Sequence, residues 1–221
     1  MALRSPYGAG KETVHVKKLV LIIIALFATP STMSAQTLST SDAAVWITDS
    51  EFNDPSITDD DGTVNFELDE DAGFGLSVNH FWFSSFSTEL AYHKFGADLD
   101  ASLDGGPRFD LGEIDAQSLT GIAQWHFRRE SRFSPYVGAG VAFMTGEFDP
   151  IDEEEEAEAF AFEDEFTWAA NFGANIGLTE RLALGLDAKY MNWEPRAEDD
   201  EGGDRVDLSP LVLSAGLRFR F

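Results

Sequence analysis

Few residues in this 221-residue chain stand at spacings that catalysis or metal binding requires. Ser118 and His126 share strand parity, but eight residues separate them, too far for the hydrogen bond that activates a nucleophile. Asp59-Asp60-Asp61-Gly62 begins like a calcium loop, yet Ile57 and Leu68 stand where such a loop needs a ligand and a carboxylate. The run Asp152 to Glu156 (DEEEE) could hold divalent cations only loosely, and a solvated, self-repelling face is the simpler expectation. There is no nucleophile motif and no cysteine, so no catalytic residue, metal ligand or cofactor site is assigned. What remains is a set of charged and amide side chains interleaved with apolar ones: Asn79, Glu89, His93, Gln124, His126, Asn171, Asn175, Asp187, Lys189, Arg218 and Arg220. Confined together, such groups pair and hydrogen-bond, because an unpaired buried charge is costly.

The elements that carry them read as β-strands. From Leu211 on, every second residue is apolar (Leu211, Leu213, Ala215, Leu217, Phe219, Phe221), and the alternate positions are small and then cationic. A period of two gives a strand with two unlike faces. The same pattern recurs in Ala43–Phe52, Gly73–Phe83, Phe86–Gly96, Ile114–Phe127, Tyr136–Phe148, Phe166–Leu178 and Leu182–Trp193, which makes eight strands. Short connections (84–85, 128–134, 179–181) alternate with long ones (53–71, 97–112, 149–163, 194–206), and Thr63–Leu68 extends a neighbouring strand into the first long loop.

One face is rich in Leu, Phe, Trp and Tyr, and the other in Gly, Ser, Asn and a few charges. A soluble lipocalin-like barrel puts its bulk inside. Here the bulk must meet lipid and the small residues a tight interior. The expected fold is an all-β, eight-stranded antiparallel transmembrane barrel of the outer-membrane type, with short periplasmic turns and long acidic extracellular loops. Open sheet edges do not survive in hydrocarbon, so the first and eighth strands must pair.

The chain carries 40 acidic against 15 basic residues, net −25, which excludes nucleic acid as a partner. Residues 1–35 read as a secretory signal for Sec-type export: Arg4, Lys11, Lys17 and Lys18 precede the apolar run Leu19–Ala28, too short to span a bilayer. Removing that segment takes away four basic residues and Glu12. The remaining 36–221, the barrel, then holds 11 basic against 39 acidic residues, net −28.

Several phrases resemble the OmpW family: FSPYVGAGVAF at 133–143, LTGIAQWHF at 119–127, Glu89-Leu90, FTWAANFG at 166–173 and VDLSPLVLSAGLRFRF at 206–221. The resemblance runs from about Gly73 to the end. It implies an outer-membrane barrel whose narrow, partly apolar lumen lets small hydrophobic molecules cross the lipopolysaccharide layer. The chain departs from the family in its loop acidity and in a weak first strand. Trp168 holds the place of an aromatic typical of the family, but parity turns it outward.

Parity and depth assemble Glu89, Asp187, Arg218, Gln124, Asn79 and Asn175 into a polar plug in the lumen, with a hairpin centred near 202 setting Asp187 opposite Arg218. Such a plug holds the barrel closed; as a gate, it would send apolar cargo sideways into the membrane. Phe95, Met144 and Val212, with Tyr136 lower down, line the lumen with apolar surface. Trp82, Trp125, Phe127 and Tyr190, together with Phe86, are expected at the membrane interface, while His80 and Lys94 face lipid near strand ends. In outer-membrane barrels the terminal aromatics, here Phe219 and Phe221, are read by the insertion machinery. The partners expected are outer-membrane lipid, lipopolysaccharide, that machinery and small hydrophobic solutes. A second reading is a structural or surface-interaction barrel with a blocked lumen and acidic, cation-binding loops.

Overall fold

The computed structural model describes residues 41–53, 56–59, 62–103, 106–151, 160–196 and 205–221. The predicted leader 1–35 and the run Asp152 to Glu156 lie outside them. The strands are β1 (Ser41–Glu51), β2 (Ser56–Asp59), β3 (Gly62–Glu70), β4 (Ala72–Phe83), β5 (Phe86–Leu103), β6 (Arg108–His126), β7 (Phe133–Pro150), β8 (Phe160–Ala161), β9 (Glu165–Gly177), β10 (Leu182–Met191) and β11 (Leu211–Arg220).

Eight of these form a closed antiparallel ring in the order β1-β4-β5-β6-β7-β9-β10-β11 and back to β1. The closing pair runs from Asp42 opposite Arg220 to Glu51 opposite Leu211. Phe221 N–H donates to Ser41 O at 2.9 Å, so pairing reaches the last residue. No backbone edge in this ring is left to face hydrocarbon, which has no water to satisfy one.

The faces divide as strand parity dictates. Val45, Leu76, Leu90, Trp125 and Phe172 are each half exposed or more, while Trp46, Ser77, Glu89, Gln124 and Asn171 behind them are buried. An outer wall this apolar needs lipid around it. No helix among the described residues is long and apolar enough to cross a membrane, a statement that does not bear on strands.

Three expectations are corrected. The segment 97–112 is mostly strand, because β5 continues past the apolar band to Leu103 and β6 begins at Arg108. The loop 53–71 contains the β2–β3 hairpin, whose β3 pairs with the β5 extension from Val64 opposite Leu103 to Glu70 opposite Ala97. The seventh ring strand ends at Met191, so Trp193 belongs to the following loop.

A bulge between Leu99 and Asp100 lies opposite Gly112, whose φ of 156° and close approach to the Asp149 carbonyl leave no room for a Cβ. Beyond it Asp100 faces Asp110 across the hairpin. Partial burial, then Asp100 and Asp98, raise the Asp110 carboxyl above its ordinary value. A raised carboxyl pKa in the folded state means the hairpin tip gains stability as pH falls through it and loses that gain above it. Asp110→Asn is therefore expected to slow limited proteolysis between β5 and β6 at neutral pH. It should have no effect once the pH is low enough to protonate the aspartate.

Candidate functional site

The interior is layered. Nearest the short turns lie Ser87, His126, Phe81 and Ser134, all buried. His126 Nε2 is hydrogen-bonded to Ser87 Oγ at 2.9 Å, and its ring packs between Phe81 and Tyr136. His126 Nδ1 is buried without a hydrogen-bond partner, so among the described residues no acid is hydrogen-bonded to that side of the ring. Ser118 stands opposite His93 on the neighbouring strand, not beside His126.

Next comes a charged layer. Arg218, 1% exposed, donates from Nη1 to Asp42 Oδ1 at 2.5 Å and from Nη2 to Glu89 Oε2 at 3.3 Å. Lys189 Nζ donates to the other Glu89 oxygen at 3.3 Å and to Thr120 Oγ1 at 3.4 Å. Asp187 accepts from Tyr136 OH at 2.7 Å and from Asn171 Nδ2 at 2.9 Å, both through Oδ2. Asn79 Nδ2 donates to Gln124 Oε1 at 3.4 Å. The Arg218 guanidinium also lies 5.3 Å from the Trp46 ring, whose Nε1 donates to Ser77 Oγ at 2.9 Å. Side chains from all eight ring strands thus meet across the bore, three carboxylates against two cations.

Large inward side chains fill this bore because glycines face them. A Cβ on Gly185 would meet the Trp46 ring at 2.5 Å, one on Gly75 the His93 ring at 2.5 Å and one on Gly173 the Tyr136 hydroxyl at 2.5 Å. Tyr136→Phe is expected to cost about 1–3 kcal/mol, because Asp187 stays buried and loses its shortest hydrogen bond. Urea unfolding of the inserted barrel measures it.

Toward the long loops the interior turns apolar. Phe95, Met144, Val212, Met191, Ile114, Ala116 and Leu68 form one cluster. Trp193 and Leu208, from the loop between β10 and β11, fold into it. Trp193 O accepts from Leu208 N and Ser209 N, each at 3.0 Å, which pins the strap. Its ring meets Phe162 edge-on at 5.6 Å and approaches Gly146 so closely that a Cβ there would lie 2.7 Å from it. Trp193 Nε1 is buried without a partner.

All six residues of the expected plug point inward and are buried, but not in the expected pairing. The β10–β11 register sets Asp187 opposite Ser214 and Arg218 opposite Ala183, so the hairpin closes two residues nearer the N-terminus than expected and Arg218 reaches Asp42 and Glu89 instead. Asn175 is buried with its Oδ1 unpartnered. Asp42, just before the expected first strand at Ala43, is the second residue of β1, and continuing the parity of that strand back by one turn of the pleat would have found it. Lys189, Tyr136 and Asn171 were inward by parity, but only the register shows which acid each meets. Leu208 had no periodic signal, and Trp193 read as the last residue of a strand rather than as part of a strap.

The outer wall carries Trp82, Phe86, Trp125 and Phe127 toward the short turns and Tyr190 beside Trp168 toward the long loops. Lys94 pairs with Asp115 at 3.1 Å. Asp115, Glu147 and Asp149 bring carboxylate oxygens within 4.8 Å of one another on that wall, with Lys94 already countering one.

Residues 41–221 match the OmpW family. A stretch of 120 residues is 29% identical to outer membrane protein W of Escherichia coli, covering 50% of this chain and 57% of that one. A stretch of 157 residues is 27% identical to outer membrane protein W of Vibrio cholerae, covering 66% and 72%. Among solved structures, the fold is similar to OprG of Pseudomonas aeruginosa (TM-score 0.68, 21% identity, 85% and 99% covered). It is also similar to AlkL in lipid bilayers (TM-score 0.57, 17% identity, 87% and 95% covered).

Proposed function

The chain belongs to the OmpW family of outer-membrane barrels, and on that premise we propose that it passes small hydrophobic molecules passively across the outer membrane. The observation that carries this is the stacking of an apolar layer of the bore, taken as the entry chamber of the proposed path, on a charged layer. Solute enters the chamber from the long-loop end. The Arg218–Asp42–Glu89–Lys189 layer blocks a straight aqueous path, so cargo leaves sideways into lipid. Contact with lipopolysaccharide around the long loops, and reading of the exposed Phe219 and Phe221 by the insertion machinery, belong to the same reading.

The test compares uptake of an apolar fluorescent probe and a polar probe of equal size into proteoliposomes, alongside planar-bilayer recording. Apolar uptake above empty liposomes with near-zero ion conductance is expected. An ion-conducting pore that admits only the polar probe would sink the proposal. A second reading, a sealed barrel acting through its acidic loops, is favoured by one feature: Trp193 and Leu208 occupy the chamber themselves. No uptake of either probe selects it.

A further inference from the structure

The short-turn rim is cationic although the chain is strongly acidic. Arg128, Arg129, Arg132, Arg181 and Arg220 gather there, five of the eleven basic residues in 36–221, against Glu130 and Glu180. Backbone pairing makes them one arc. Gly177 N–H donates to Arg132 O at 2.7 Å, joining the β6–β7 turn to the β9–β10 turn, and Arg220 N–H donates to Arg181 O at 2.8 Å, joining that turn to the end of β11. Three of the five adjoin lipid-facing aromatics in sequence: Phe127-Arg128, Arg132-Phe133 and Phe219-Arg220-Phe221. Those aromatics are about half exposed or more, on the outer wall. Aromatics of this kind settle at the headgroup level, so the adjoining guanidinium groups stand at phosphate depth. Arg129 lies 3.5 Å over the Phe81 ring and Arg132 Nε donates to Gly177 O at 3.2 Å, which fixes two of the five; Arg128 and Arg181 are exposed.

We propose that this arc binds the headgroups of anionic phospholipids in the periplasmic leaflet, and so sets the depth and sidedness of the barrel. A guanidinium fork matches phosphate geometry, and a cation near a charged bilayer surface is attracted over about a Debye length. Among the described residues the opposite rim holds cations in ion pairs, Lys94 with Asp115, Arg108 with Glu67 and Asp69, and Arg205 with Glu165, while Asp98, Asp100, Asp110, Glu113, Glu147 and Asp149 dominate its strand ends.

The purified barrel is equilibrated in micelles holding equal phosphatidylglycerol and phosphatidylcholine with matched chains, and retained lipid is read by native mass spectrometry. Both lipids carry a phosphate, so enrichment of the glycerol lipid reports net charge. Enrichment is expected, falling about fivefold for each arginine removed in the double variant R128Q/R181Q. The control R108Q, at the other rim, should leave it unchanged. A heat-shifted gel band confirms folding. Should the double variant not fold, rising ammonium acetate on the unaltered barrel gives the answer, since surface attraction is screened by salt. Equal retention of both lipids, enrichment that survives R128Q/R181Q or salt, or an equal loss in R108Q would overturn the proposal. A rim that instead serves an acidic soluble protein would show equal retention.

Discussion

Arg218→Ala is expected to give a barrel that is less stable by about 3–5 kcal/mol and newly leaky to small ions. Both effects follow from the same contacts. The guanidinium donates to Asp42 and Glu89 in a layer where each partner is nearly fully buried. Breaking one side of a buried ion pair leaves uncompensated charge, and that, more than the lost attraction, sets the cost. Glu89 keeps Lys189 at 3.3 Å, whereas Asp42 loses the guanidinium that donates to it and keeps the attraction of Arg220 and Arg129. Water must enter to solvate Asp42, and a watered bore conducts. Arg218→Lys keeps the charge but not the fork that bridges two carboxylates, so an intermediate loss is expected. Unfolding in denaturant and single-channel recording check the two effects separately. Unchanged conductance in the alanine variant would remove the blocking role from this layer while leaving its structural role intact.

Trp193→Ala should act on the other half of the bore. The indole is fully buried in the apolar cluster, against Phe162 and the backbone of Gly146. Truncating a buried aromatic costs about 3–5 kcal/mol through lost transfer energy and the cavity left behind. The cost should fall toward the low end, because the unpartnered Nε1 donor is removed with the ring. The vacated space lies where the proposed path begins, so apolar uptake into proteoliposomes should rise several-fold while ion conductance stays low, the charged layer being untouched. Trp193→Phe keeps most of the volume and should change neither by much. If uptake does not respond to the alanine variant, the strap stands outside the route.

The failures of expectation share a cause. Strand periodicity reports which face a residue takes, and Asn79, Glu89, Gln124, Asp187 and Arg218 all lie buried on the inward face it assigns them. It reports nothing about register across a long loop, because shifting a pairing by an even number of residues keeps every face and changes every partner. That is how Asp187 and Arg218, both inward, come to lie apart, with Tyr136 and Asp42 as their respective partners. Segment ends failed for a related reason. Acidic, glycine-bearing stretches such as 97–112 look like loops, yet cross-strand pairing carried β5 and β6 through them as ladders above the apolar band.

Sequence alone determined the class of this protein: eight alternating segments, short and long connections in turn and a greasy terminal strand admit a lipid-facing barrel and little else, because each residue's face is a local property of the pleat. Only the tertiary structure decided what the bore contains. The partners of each buried charge, and the inward fold of Trp193 and Leu208, depend on closing the ring, which brings together groups such as Asp42 and Arg218 from opposite ends of the chain.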